Sequence, residues 1–158
     1  MIYLGIGSNL GNRKINIEKA KFRISQNNIK ILQSSNYYES LSWPNIKNPK
    51  FLNIVIEIKT NLKPIKLIAL CKKIEESFGK RKKERNSPRI CDIDILDYKK
   101  EQINKGVILP HPRLSQRNFV LLPLFELNKS WKHPKSKSHI KSLILALSSR
   151  DIRSIKQI

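Results

Sequence analysis

Apolar positions along this chain follow two rhythms, and the switches between them outline its elements. Residues 2–7 form a short apolar run that reads as a buried strand. It stops at Gly7-Ser8-Asn9-Leu10-Gly11-Asn12, where the glycines suit a turn and Asn12 a helix N-cap. Ile17, Ala20 and Ile24 then recur at helical spacing, and residues 29–38 return to strand-like character. A proline- and asparagine-rich loop over 42–49 leads to residues 51–59, where alternation is strict. Leu52, Ile54, Ile56 and Ile58 face one side there, and Phe51, Asn53, Val55, Glu57 and Lys59 the other. Pro64 suits a first helical turn, Leu67, Cys71, Ile74 and Phe78 make an apolar stripe, and Gly79 ends it. After a cation-rich loop over 80–89, Cys91, Ile93 and Ile95 alternate with Asp92 and Asp94 as in a further strand.

The order is βαββαβ, which predicts an α+β, ferredoxin-like antiparallel sheet with its helices on one face and extra C-terminal elements. Those extras are short strands at Ile103 and 107–109, a partly helical stretch over 115–127 interrupted by Pro123, a polar loop over 129–139 and a last helix over 141–147. At 158 residues and 39% hydrophobic, the chain suits one domain over 1–158. It contains no run of 18 apolar residues and no basic start followed by a long apolar segment, so the expectation is a cytoplasmic protein without a membrane partner. Cys71 and Cys91 fall on apolar faces without C-x-x-C spacing, which predicts buried free thiols.

The net charge of +20 has two readings: a phosphate-rich partner, or a solvated lysine-rich surface. Aromatics make up only 7% of the chain and no Lys/Arg-Gly-Phe signature occurs, so a nucleic-acid partner is not expected. The glycines spell G-x-G-x-x-x-G, which fails the dinucleotide fingerprint, and no P-loop motif is present.

The sharpest chemistry lies in Asp92 and Asp94. A strand sends both carboxylates to one face, about 7 Å apart, and paired hard oxygens suit Mg²⁺; a solvated strand face or lysine and arginine partners are the alternatives. The basic loop leads directly into this strand, so its cations can reach a phosphate chain. His111 stands between two prolines that fix its backbone, as a positioned contact requires. Phe51, on the polar side of its strand, either packs under a loop or offers a stacking platform, with Asn53 presenting a donor and an acceptor beside it. His133 and His139 receive no role.

Gly7-Ser8-Asn9-Leu10-Gly11, Tyr38-Glu39-Ser40, Phe51-Leu52-Asn53, Pro88-Arg89 with Asp92-Ile93-Asp94-Ile95, and Pro110-His111-Pro112-Arg113 followed by Arg117-Asn118-Phe119-Val120-Leu121 occur in this order. In this the chain resembles the 6-hydroxymethyl-7,8-dihydropterin pyrophosphokinases, from residue 1 to about 127. The resemblance implies a monomeric folate-pathway enzyme with small-molecule substrates, moving the β,γ-diphosphate of ATP onto the hydroxymethyl group of the dihydropterin and releasing AMP. It further implies that Asp92 and Asp94 hold two Mg²⁺ ions, and that Arg89, Lys82 and Lys80 act on the transferring group. Lys72 and Glu75 would lie near the nucleotide, His111 and Arg117 would contact its phosphates, and backbone groups of Ile95 and Ile108 would read adenine. Phe51 and Phe119 would sandwich the pterin, Asn53 would bond its edge, and Ser40, Leu41, Trp43 and Asn86 would shape the pocket. The chain departs from the family's pattern in several places. Asn86 stands where some members have tryptophan, lysines stand at 80 and 82 where arginine is frequent, the loop is one residue shorter, and Ser40-Leu41-Ser42 replaces a threonine- and proline-rich wall.

Overall fold

A computed structural model describes residues 1–79 and 86–158. Its elements in chain order are β1 (Ile2–Ser8), α1 (Arg13–Ser25), β2 (Lys30–Ser34), β3 (Tyr38–Ser40), β4 (Phe51–Lys59), α2 (Pro64–Glu76), β5 (Asp92–Tyr98), α3 (Asn118–Leu127), α4 (Ile140–Leu145), α5 (Ser149–Ser154) and β6 (Lys156–Gln157). A short 3-10 turn at Leu114–Gln116 precedes α3. The antiparallel sheet runs β5-β1-β4-β3-β6, and β2 pairs with the far end of β4 along the same edge as β3. This is the ferredoxin-like α+β arrangement that the alternating pattern predicts, including the Asn12 cap, whose side chain accepts from the Ile15 N–H at 3.1 Å.

Three features differ from the expectation. The strand over 29–38 is divided into β2 and β3. At the break, the Ser35 hydroxyl takes the place of a backbone carbonyl and accepts from Val55 N at 3.0 Å, while Ser35 N donates to Val55 O at 2.9 Å. The helices also cover both faces. Ile2, Leu4, Ile6, Ile54, Ile56, Ile58, Ile93 and Ile95 pack beneath α1 and α2, while Tyr3, Val55 and Leu96 join Leu121, Leu124, Trp131 and Ile140 in a second core under α3 and α4. The polar side of β4 therefore also feeds this core: Val55 is fully buried between Asn53 at the open end, where α3 begins, and Glu57 further along. Finally, α5 and β6 carry no apolar periodicity. Ser148 starts α5 by accepting from Asp151 N, and β6 is a two-residue edge strand.

A bulge in β5 opposite Tyr3/Leu4 turns Leu96 and Asp97 toward the same core. Asp97 is 1% exposed, and three donors satisfy it: the Trp131 indole at 2.8 Å, Lys100 Nζ at 3.0 Å and Lys100 N at 2.9 Å. Among the described residues no helix is long and apolar enough to cross a membrane.

Candidate active site

The site lies on the open end of the face that α3 leaves uncovered. Across three adjacent strands, Asp92 of β5, Gly7 of β1 and Asn53 of β4 form one row, and Asp94, Gly5 and Val55 form the next. Two strand spacings of about 4.8 Å separate the acidic strand from the amide strand. The intervening glycines have no side chain, so β1 forms a bare floor between them. The floor is needed: a Cβ on Gly7 would stand 3.1 Å from Asn53 Oδ1 and 3.3 Å from Phe51 Cδ1. A cavity of about 410 Å³ spans the floor, with Phe51, Asn53, Leu41, Trp43, Asn86 and Phe119 toward one end and Asp92, Asp94, Arg89, His111, Arg117 and Glu75 toward the other.

The acidic end is held by cations. Arg89 bonds Asp92 at 2.9 Å and Arg117 bonds Asp94 at 3.0 Å, while His111 Nε2 stands 3.6 Å from the same Asp94 oxygen. The Nε atoms of Arg89 and Arg117 are both buried with no hydrogen-bond partner among the described residues, while their Nη1 groups hold Asp92 and Asp94. Burial holds the His111 imidazole below its ordinary pKa, with Arg117 and Arg113 adding to the effect and Asp94 opposing it. Its Nδ1 accepts from Arg113 N at 3.1 Å, so the neutral ring carries its proton on Nε2, the atom directed at the acidic end. Asp92 and Asp94 offer hard oxygen ligands that suit Mg²⁺. Among the described residues they have no third His, Cys, Asp or Glu with them in a metal-holding group, so such an ion would take its remaining oxygens from phosphate and water.

Asn9 ties the two ends together. Its N–H donates to Arg89 O at 3.1 Å, its Oδ1 accepts from Arg89 N at 2.7 Å, and its Nδ2 donates to Pro49 O at 3.1 Å. At the ring end, Asn53 Nδ2 donates to Tyr38 O at 3.2 Å and Ser40 Oγ at 3.0 Å. A backbone carbonyl only accepts, so the amide orientation is fixed and Oδ1 is the atom turned toward Gly7 and the cavity. Asn53 thus presents an acceptor, where the sequence suggested a donor and an acceptor together. Arg113 stacks over the exposed Trp43 ring at 4.9 Å and Arg117 over Phe119 at 5.4 Å.

Of the residues singled out from sequence, Leu41, Trp43, Phe51, Asn53, Glu75, Asn86, Arg89, Asp92, Asp94, His111, Arg117 and Phe119 line one cavity. Four others stand apart from that lining. Ser40 is buried behind Asn53, the Ile95 side chain lies in the helix-side core, and Lys72 and Ile108 are exposed. Lys80 and Lys82 lie outside the described residues. Sequence reasoning missed the glycine floor, Arg113 and Asn9; a floor is legible only once cross-strand register is known. Burial, with Glu75 and Asp94 adding negative charge, pushes the Cys71 thiol up to about 12, so it is no nucleophile.

Residues 3–129 match the family model for 7,8-dihydro-6-hydroxymethylpterin-pyrophosphokinase. The 2-amino-4-hydroxy-6-hydroxymethyldihydropteridine pyrophosphokinase of Aquifex aeolicus is 39% identical over 134 residues, covering 84% of this chain and 83% of the relative. The folic acid synthesis protein fol1 of Pneumocystis carinii is 36% identical over 155 residues, 98% of this chain, which spans only 21% of that longer protein. The crystal structure of wild-type Plasmodium falciparum HPPK-DHPS superposes with a TM-score of 0.75 at 16% identity, over 99% of this chain and 44% of that one, and so shares the fold. The family match and the Aquifex relative agree with the motifs gathered around the glycine floor: the chain belongs to the 7,8-dihydro-6-hydroxymethylpterin-pyrophosphokinase family, and with it to the ATP-dependent diphosphotransferases.

Proposed function

We propose that this chain, acting as a monomer and as one domain over residues 1–158, transfers the β,γ-diphosphate of ATP to the hydroxymethyl group of 6-hydroxymethyl-7,8-dihydropterin in folate biosynthesis. The observation that carries this reading is the row Asp92–Gly7–Asn53, which sets a carboxylate pair and a ring-reading amide on either side of a bare strand in one cavity. The pterin ring lies between Phe51 and Phe119, and Asn53 Oδ1 accepts from its N–H edge. Leu41, Trp43 and Asn86 close the ring end, with Ser40 holding Asn53 in place. The hydroxymethyl group then points across the floor toward the acidic end.

Asp92 and Asp94 would hold two Mg²⁺ ions, which supply charge neutralisation along the triphosphate. Arg89 and Arg117 bring guanidinium charge to the phosphate oxygens, and His111 offers its Nε2 proton to them. Lys80 and Lys82 add charge on the transferring group, Lys72 and Glu75 lie by the nucleotide, and backbone groups of Ile95 and Ile108 read adenine. The hydroxyl oxygen bonds to the β-phosphorus, the bond from that phosphorus to the α,β-bridging oxygen breaks, AMP leaves and the hydroxyl proton is released. No protein side chain forms a covalent bond; the chain contributes orientation, worth up to about 7 to 11 kcal/mol in favourable cases, and neutralised charge. The test is the nucleotide product. AMP formation that requires both Mg²⁺ and the dihydropterin supports the proposal, and ADP as the product, or no turnover by folded protein, overturns it.

A further inference from the structure

Residues 130–158 lie beyond the segment that the family model matches, and the C-terminal end touches both walls of the ring site. On one wall β6 adds an antiparallel strand to β3, with Tyr38 opposite Gln157 and Glu39 opposite Lys156, and Ile158 N donates to Tyr37 O at 2.9 Å. β3 is the strand whose Tyr38 carbonyl and Ser40 hydroxyl fix the Asn53 amide. On the other wall stands Asn118, the first residue of α3, between Arg117, which holds Asp94, and Phe119. Its Nδ2 donates to Asp151 O at 2.6 Å and to Ser154 Oγ at 3.3 Å, both on α5, and its Oδ1 accepts from Phe119 N at 2.7 Å. Asn118 is 9% exposed, and its bonds to α5 are partly buried.

A second cavity of about 540 Å³ is lined by Trp43, Asn118, Phe119, Arg150, Asp151 and Ser154 among others. Phe119 packs against the second core and also lines this cavity, so packing fixes its ring only in part, and the hydrogen bonds that Asn118 makes to α5 complete the placing of the start of α3. α5 in turn is fixed by its own cap, where Ser148 accepts from Asp151 N at 3.1 Å and donates to Asp151 Oδ2 at 2.8 Å.

We infer that Asn118 is a positioning residue for ring binding, and that residues 148–157 form a brace which, through Asn118 on one wall and β3 on the other, sets the gap that the pterin enters. This rests on the ring site described under Proposed function. Asn118 itself touches no substrate; it acts through Phe119.

The experiment uses the full chain. Dissociation constants for 6-hydroxymethyl-7,8-dihydropterin, measured with a nonhydrolysable ATP analogue and Mg²⁺ present, and for the analogue alone, are compared between wild type and Asn118→Ala, with thermal unfolding followed in parallel. The expected result is pterin binding about tenfold weaker, analogue binding within about twofold of wild type, and kcat at saturating pterin within about threefold. Unchanged pterin binding overturns the inference, as does a parallel loss for both ligands that tracks a fall in Tm, which marks a purely structural tie. If Asn118→Ala does not fold, Ser154→Ala removes one of the two acceptors, and the same pattern is expected at about two- to threefold. A wild type that binds the ATP analogue but no dihydropterin refutes the ring site itself, and the brace with it; wild-type pterin binding that Asn118→Ala and Ser154→Ala leave untouched refutes the brace alone.

Discussion

Replacing Gly7 with alanine adds a single methyl group at the centre of the proposed site. Nothing in the backbone opposes it, because Gly7 lies in extended β1 with no positive φ. The new Cβ would sit 3.1 Å from Asn53 Oδ1 and 3.3 Å from Phe51 Cδ1, each a few tenths of an ångström inside ordinary contact. Phe51 is half-buried at the strand end and can turn, but Asn53 cannot, since Nδ2 is tied to both Tyr38 O and Ser40 Oγ. The acceptor that reads the ring is therefore displaced or screened. Loss of one neutral hydrogen bond costs about 0.5 to 1.5 kcal/mol, and crowding of the ring edge adds about 1 kcal/mol. Together these weaken pterin binding by roughly 10- to 70-fold.

Folding should hardly respond. Alanine in extended backbone lowers the entropy of the unfolded chain by about 0.4 to 1 kcal/mol, which offsets the squeeze, so Tm moves by no more than about 4 °C. Gly5→Ala is the internal control, because its Cβ would meet Leu96 Cδ1 at 3.5 Å, an ordinary contact. Titration calorimetry with dihydropterin in the presence of a nonhydrolysable ATP analogue gives both constants. Pterin affinity in Gly7→Ala equal to that of wild type, or an equal effect from Gly5→Ala, refutes the floor argument.

Four further outcomes are expected. Asp92→Ala and Asp94→Ala should each lower turnover by about 10³-fold or more in a coupled assay, with circular dichroism unchanged, because partly exposed ion pairs contribute about 1 kcal/mol or less to folding; near-normal rates in both would remove the metal assignment. The thiols of Cys71 and Cys91 should resist Ellman's reagent at pH 8 until denaturant is added. The folded Cys71 thiol holds its proton up to about 12, so its contribution to stability is intact below the ordinary value of 9.0 and declines as pH rises from there toward 12; urea midpoints that rise over this window would contradict that sign. Trp131→Phe leaves buried Asp97 without its indole donor and should cost about 1 to 3 kcal/mol of stability in urea unfolding while leaving kcat unchanged.

The sheet was legible because β1 is a short apolar run closed by turn residues and β4 and β5 alternate with period two, and that same period placed Asp92 and Asp94 on one face. It failed where local pattern carries no information. Ser35 breaks one strand into β2 and β3 by a side-chain bond to Val55, a long-range event that hydropathy does not encode. The second core was hidden because Tyr3, Val55, Leu96 and Trp131 come from distant segments and meet only after α3 docks. Asn9 looked like one more turn residue, and its three bonds to Arg89 and Pro49 exist only when loops 40 and 80 residues away converge on it. α5 and β6 are too short to announce themselves, although they reach both walls of the ring site.

In the proposed reaction one cavity delivers an intact diphosphate group from nucleotide to pterin. Incubating the protein with Mg²⁺ and dihydropterin, once with ATP labelled at the γ-phosphorus and once with ATP labelled at the α-phosphorus, then separating the products, tests this directly. The γ label is expected in the pterin product and the α label in AMP, in equal amounts. Label from the γ-phosphorus in free phosphate, with ADP formed and the pterin unmodified, would contradict it.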